Sequence, residues 1–442
     1  MKERKIKVLL VPDHIQWVTG TMAHGICRHN QWIDGIVCSG EALSRHIEGG
    51  GELPFEPDII HFLTEWEGLR LQERFLGCYP VVNTIHHVEN WDFVRPLLKA
   101  EAIQVVSEQW RSYLLKHGVE NDKMLTLRNG IDIVKFSPGS AREKSVARRS
   151  YGIPEGSYVV GFAGKASSDT SQRKGVDVFE AGIQQLSRHV PNLMVLIVGP
   201  GWARFRSALT RMGISCVWVP YMLKHEELVK FYWCVDIYWV TSRIEGGPVP
   251  LLEAMACETL CVSTPVGLVP EIIEHGKNGF VVGFDNADGF VEETIHARQF
   301  PTETAKMAKQ ARLTIIRECR DCITAAAAEP LYQAAISRFR NGSVARVENQ
   351  GRIISRARIV KKLEAMGDVL WSTELLRMGA KAKSLQLVAK ALGNAPLSPL
   401  LWRLALKPQL VYYLKSALHP FKKVVTGWQA SDGGGVKRND RL

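Results

Sequence analysis

The sequence predicts an α/β protein built from two parallel-sheet layers and a basic helical extension, and three observations carry that prediction. Short runs rich in β-branched and aromatic residues alternate with helical or loop patterns through the first 340 residues, as strands with covering helices do. A polar, basic, turn-rich stretch at 139–156 divides these runs into two sets and suits a linker. The charge is uneven: of the net +11, the residues from 341 onward carry 18 Lys/Arg against 6 Asp/Glu, while the preceding 340 carry 38 against 39. The first 340 residues are therefore electrically balanced, and the tail needs its own explanation.

In the first half, 1–138, strands are expected at 6–11, 36–38, 58–62, 81–84, 103–106 and 124–127. In the second half, 157–322, they are expected at 158–163, 193–198, 216–219, 236–240, 259–263 and 280–282. Each set reads as a Rossmann-like layer, in which ligands bind beyond the carboxyl ends of the strands. Residues 323–340 read as one further helix, and 341–442 as a basic helical extension with a disordered end.

At 442 residues and 46% hydrophobic composition, a two-domain globular protein is expected. No apolar run reaches the roughly 18 residues of a membrane span, and Asp13 and His14 interrupt the amino-terminal apolar run, so no secretory signal is expected. A cytosolic protein follows. The nine cysteines show no disulfide framework. Cys319 and Cys322 sit at helical spacing and read as small apolar residues sharing one face.

The most informative stretch is Ser242-Arg-Ile-Glu-Gly-Gly-Pro-Val-Pro-Leu-Leu-Glu-Ala-Met-Ala-Cys257. Gly246 and Gly247 let backbone approach a ligand, Pro248 and Pro250 suit a first helical turn, and the helix's amino end offers a seat for phosphate. Glu245 and Glu253 flank that seat as hydroxyl acceptors, so a nucleotide sugar suits the stretch. The alternative is an ordinary loop–helix cap with surface glutamates.

This string resembles the Glu-x7-Glu signature of the retaining GT-B glycosyltransferases, family 4 (group 1 glycosyltransferases). Ser263-Thr-Pro-Val-Gly-Leu-Val-Pro-Glu-Ile-Ile273 and His275-Gly-Lys-Asn-Gly-Phe280 follow in the family's order, and Asn129-Gly-Ile-Asp closes the first half as the family does. The resemblance covers nearly all of the second half and is patchier in the first. It implies two Rossmann-like domains facing a cleft, with the helix at 323–340 crossing back to the first. It implies a sugar moved from a nucleoside diphosphate to a hydroxyl with retention, without a metal or other cofactor. Glu245 would meet the donor sugar, Glu253 the ribose, and the amides at the positions of Val249 and Pro250 the diphosphate, with Gly246, Gly247 and Leu251 also binding the donor. Pro250 departs from the pattern, because it has no amide to give.

The loop Gly164-Lys-Ala-Ser-Ser-Asp-Thr-Ser-Gln-Arg-Lys-Gly175 resembles the family's basic diphosphate loop, with Lys174 matching and Lys165 where Arg is usual. Lysine supplies charge without arginine's planar fork, for which Arg173 would compensate; a solvated basic loop is the alternative. His86, in Thr84-Ile-His-His, resembles the active-site histidine beside the sugar, or else caps or packs. Tyr221 would stack on the base or only pack. Gly20 and Thr21 are what remains of the glycine-rich loop after the first strand. Neither a nucleoside-triphosphate loop nor a dinucleotide fingerprint is complete.

The tail mixes basic residues with Trp402, Tyr412 and Tyr413, which suits the surface of an anionic membrane over 341–430 and so a peripheral place on its inner face. A partner-docking tail or a solvated appendage would share that composition, and no nucleic-acid motif accompanies it. An acceptor that is lipid-linked or a glycan of the cell envelope fits a membrane-facing tail. Two rival functions stand beside transfer: a sugar-phosphate synthase or epimerase using the same cleft, and a catalytically silent partner or sugar-binding subunit.

Overall fold

Strands form at all twelve expected places, because most of the runs put apolar, largely β-branched side chains on both faces of a buried parallel sheet. They are β1 (Ile6–Val11), β2 (Ile33–Val37), β3 (Ile59–Phe62), β4 (Val81–Ile85), β5 (Ala102–Val105), β6 (Met124–Thr126), β7 (Tyr158–Ala163), β8 (Leu193–Val198), β9 (Ser215–Val219), β10 (Ile237–Val240), β11 (Leu260–Ser263) and β12 (Phe280–Val281). The structure, a computed structural model, describes residues 4–341 except 50, 52, 54, 168, 169 and 221–226. Tyr221 and the tail from 342 onward, with its suggested membrane surface, lie outside the described residues.

The strands make two six-stranded sheets, ordered β2-β1-β3-β4-β5-β6 and β12-β11-β10-β7-β8-β9. Every pairing is parallel, for example Ile6 with Ile33 and Ile237 with Val160. In the second sheet the order reverses between β7 and β10, and in the first between β1 and β3. Such a switch point opens a crevice at the strands' carboxyl ends, so the loops after β7 and β10 must share one. β2 starts earlier than expected because Asp34 and Gly35 pair at the sheet's edge, where Ile6 still faces Ile33.

Three expectations need correction. The stretch 139–156 is not a plain linker. It holds a helix, Ala141–Ser150, nucleated by a reciprocal Ser140–Glu143 capping box. Arg148 on that helix binds Asp236 at 2.7 Å, and Asp236 also accepts from the Val159 amide at 2.7 Å. Asp236 is thus a structural anchor. Cys319 and Cys322 do not share one helical face: the helix Pro301–Glu318 ends at Cys319 and the next, Asp321–Ala326, begins after Arg320. The Ile131 amide takes the Cys319 carbonyl at 2.7 Å, which pulls the chain out of helical register. Finally, residues 323–340 are not one helix but the end of Asp321–Ala326 and most of Ala328–Asn341. The second helix buries Ala328, Leu331, Tyr332 and Ala335 among Val8, Leu10 and Val82 of the first sheet. There the Tyr332 hydroxyl meets Nδ1 of the buried His61 at 2.8 Å. Burial pushes that imidazole's pKa down to about 3, so it serves as a neutral tie.

Candidate functional site

The Glu245 loop leaves β10 at the switch point and is roofed by the first half of the chain. Gly246 makes that contact close: a Cβ there would stand 2.1 Å from the His86 carbonyl oxygen, across the crevice. The Trp110 indole nitrogen donates to the Glu245 carbonyl at 2.8 Å, and the Asn129 amide to the Gly247 carbonyl at 2.9 Å. Three elements of the first half therefore hold the backbone of residues 245–247.

The basic loop after β7 is pressed onto the same place. Gly175 takes φ 62°, and a Cβ on it would come 2.0 Å from the Thr241 carbonyl, so only glycine fits without strain. Thr241 donates through Oγ1 to the Lys174 and Gly175 carbonyls at 3.0 and 2.9 Å. This places Lys174 Nζ 2.5 Å from Glu245 Oε1, while Ser242 Oγ donates to the same oxygen at 2.9 Å. Arg173 stands at 3.6 Å from Glu245 Oε2 and donates to the Ile244 carbonyl at 3.3 Å. Glu245 is only 8% exposed. Burial opposes its ionisation, yet Lys174 and Arg173 outweigh it and hold the carboxyl below its ordinary range. The result is a buried carboxylate kept charged by two cations.

His86 lies at the carboxyl end of β4, over this loop. Its Nε2 donates to the Leu63 carbonyl at 2.9 Å, which fixes the ring. Glu65 accepts from the His86 and His87 amides and sets the turn. His87 and Arg173 then share one oxygen of Glu89, each at 2.9 Å.

Other expected site residues stand apart from the Lys174–Glu245 pair. Lys165 is exposed and not drawn to Glu245. The Ala166 amide donates to the Pro200 carbonyl at 2.9 Å and Ala166 is buried, while Lys165 beside it stays exposed. Leu251 is core, and its amide donates to the Pro248 carbonyl at 2.8 Å, closing a tight first turn. Val249, first residue of the helix Val249–Ala256, keeps an amide with no acceptor among the described residues. Pro250 supplies none. Gly20 and Thr21 are not in a loop: both belong to the helix Val18–His29, and a Cβ on Gly20 would meet the Ile15 carbonyl at 2.1 Å. The loop after β1 is instead organised by Asp13, which accepts from Thr19 and from the His14 amide.

Glu253 is fully buried, one helical turn inside the core from Val249. Its Oε2 accepts from the Tyr232 hydroxyl at 2.6 Å, so it shares the helix with Val249 but not the Glu245 cluster. Among the described residues no three His, Cys, Asp or Glu side chains gather as a metal site. Glu65, Glu89 and Trp110 are not singled out by the sequence, and Asn129 stands out there only as a turn and not as a site residue. Only Asn129, inside a recognised turn, carried any local signal.

Two parallel-sheet domains meeting across a roofed crevice define the GT-B class of fold, and solved structures agree. Anabaena Alr3699/HepE in complex with UDP-glucose superposes with a TM-score of 0.61 at 16% identity, over 75% of this chain and 100% of that one. Sucrose-phosphate synthase from Thermosynechococcus elongatus gives 0.58 at 16%, over 75% and 100%. At such identity the likeness shows the fold.

Residues 157–299, which include Lys174, Glu245 and Glu253, match the family described as Glycosyl transferases group 1. That likeness lies within the second half of the chain. The D-inositol 3-phosphate glycosyltransferase of Corynebacterium jeikeium is 33% identical over 170 residues, which make up 36% of this chain and 40% of that protein. The N-acetyl-alpha-D-glucosaminyl L-malate synthase of Bacillus anthracis is 22% identical over 203 residues, 46% of this chain and 52% of the relative. The chain thus spans about half the length of the curated relatives it matches.

Proposed function

We propose that this chain transfers a hexose-type sugar from a nucleoside-diphosphate sugar to a hydroxyl acceptor, with retention at the anomeric carbon and without a metal. The observation that carries the proposal is the Lys174–Glu245–Arg173 cluster at the second sheet's switch point, roofed by His86. A buried carboxylate with paired cations suits a ligand that is both a sugar and a phosphate. The UDP-glucose bound by HepE and the glycosyltransferase relatives support that donor class. Within the group 1 resemblance we place the chain in family 4.

In this reaction the bond between the anomeric carbon and the diphosphate oxygen breaks as the acceptor oxygen attacks the same face. The acceptor proton passes to the departing phosphate oxygen. Negative charge grows on the leaving group, where Lys174, Arg173 and the Val249 amide would stabilise it. Glu245 faces the positive anomeric centre and the sugar hydroxyls, and His86 closes the other side. Glu253 keeps the ribose side of the pocket, its carboxylate held by Tyr232. Closure of the two halves excludes water.

The relatives and the basic tail together support an acceptor that is a lipid-linked or envelope glycan, with residues 341–430 on an anionic membrane at the cytoplasmic face. A second reading, a catalytically silent GT-B subunit, draws on the outward Lys165 and on the loss of amides at Pro250 and Leu251. Transfer and hydrolysis measured on a panel of UDP-, GDP- and ADP-sugars separate these readings. Wild-type turnover with retained anomeric configuration is expected, falling at least about 100-fold in Glu245→Ala and Lys174→Ala. Near-normal rates in both variants defeat the assignment, and an inert wild type favours the silent subunit.

A further inference from the structure

The two cations that would receive a leaving diphosphate are already matched by two carboxylates. Lys174 is paired with Glu245 at 2.5 Å, and Arg173 with Glu89 at 2.9 Å. A nucleoside diphosphate is multiply negative. If it enters beside four charges that already cancel, one carboxylate has to give way. The two carboxylates differ sharply in what yielding would cost. The Glu245 side chain is 10% exposed and is held by Lys174, by Ser242 and, at longer range, by Arg173. Moving it would strand a buried charge. The Glu89 side chain is 49% exposed, so water can solvate it as it swings out. Glu89 belongs to the first half, between β4 and the helix Trp91–Val94, whereas Arg173 belongs to the second.

We propose that Glu89 is a gate carboxylate: it occupies Arg173 while the donor site is empty and is displaced by the donor's diphosphate. The exchange also frees His87, which shares the same Glu89 oxygen at 2.9 Å. Loading of the donor is thereby coupled to release of one tie between the halves. Glu89 is a positioning residue rather than a catalytic one, because it acts through Arg173. The inference rests on the proposed donor site.

Removing a competitor should improve binding, which mere structural damage would not do. Isothermal titration of UDP and GDP into the whole chain is the test, with wild type, Glu89→Gln, Glu89→Asp and Lys174→Met. Wild type should bind at least one of the two, and Lys174→Met should abolish that binding. Glu89→Gln should bind it about three- to fivefold more tightly, the range set by an exposed ion pair. Glu89→Asp should stay close to wild type. Wild-type binding that Glu89→Gln leaves equal or weaker overturns the gate alone. Absence of binding in wild type and Glu89→Gln, or binding that survives Lys174→Met, overturns the donor site and the gate with it.

Discussion

Replacing Lys174 by methionine removes the closest counter-charge of Glu245 while keeping much of the side chain's volume. Breaking a buried pair by deleting one partner costs about 3–5 kcal/mol. Lys174 keeps 18% of its side chain exposed, and Ser242 and Arg173 stay beside the carboxylate at 2.9 and 3.6 Å. These contacts bring the cost below that range, to about 2–3 kcal/mol at neutral pH. The pH dependence gives a sharper test. In wild type Glu245 has a folded pKa below its unfolded one, so its contribution is present above the unfolded pKa and fades as pH falls through the folded value. Without Lys174 the burial that opposes ionisation gains ground and the folded pKa rises. The variant's carboxyl then takes up its proton at higher pH, and the stability gap to wild type narrows as pH drops toward about 4. Urea unfolding followed by tryptophan fluorescence at pH 7.5 and pH 4.5 measures that gap. Lys174→Met combined with Glu245→Gln should recover much of the loss. A gap under about 0.5 kcal/mol at pH 7.5, or one that widens in acid, refutes the buried pair.

Other outcomes follow from single contacts. Gly246→Ala puts a Cβ 2.1 Å from the His86 carbonyl and 2.8 Å from Val106 Cγ2, so the halves must part. The scattering radius should rise and donor turnover should fall at least about tenfold; an unchanged radius and rate would contradict the close approach. Tyr232→Phe removes the hydroxyl that serves Glu253 and should cost about 1–3 kcal/mol in urea unfolding. Glu253→Ala should cost a similar amount, and the double variant less than the sum, whereas full additivity would speak against coupling. Truncation after Arg340 should release the protein from vesicles of anionic lipid, and flotation as strong as that of the whole chain rejects a membrane role for the tail.

Much of the fold is local chemistry and was therefore legible. The runs at Tyr158–Ala163 and Leu193–Val198 are short, apolar and rich in β-branched or aromatic residues, which favours buried strands, and the pattern of strands alone suggests two layers. The meeting of Lys174 with Glu245 is foreshadowed too, since each follows a strand in the half that resembles a known family. What stayed hidden depends on contacts distant in sequence. Lys165 is exposed beside Ala166, which is tied to Pro200 and packed against Gly201, more than 30 positions away. Trp110, Asn129 and Glu89 reach the site from the other half; the turn at Asn129 and the nearby His86 are visible in sequence, but their contacts with residues 173 and 245–247 are not. The burial of Glu253 needs Tyr232, 21 positions away. The helix Ala141–Ser150 is a different case: Ser140 and Glu143 announced it as a capping box, and the basic composition around them concealed the signal.

The most direct trial of the donor seat is a crystal structure of the chain with an intact nucleoside-diphosphate sugar. The account predicts the diphosphate against Lys174, Arg173 and the Val249 amide, the sugar against Glu245, and His86 across from it. A nucleotide sugar seated away from the loops that follow β7 and β10, with Lys174 still locked on Glu245, would contradict it.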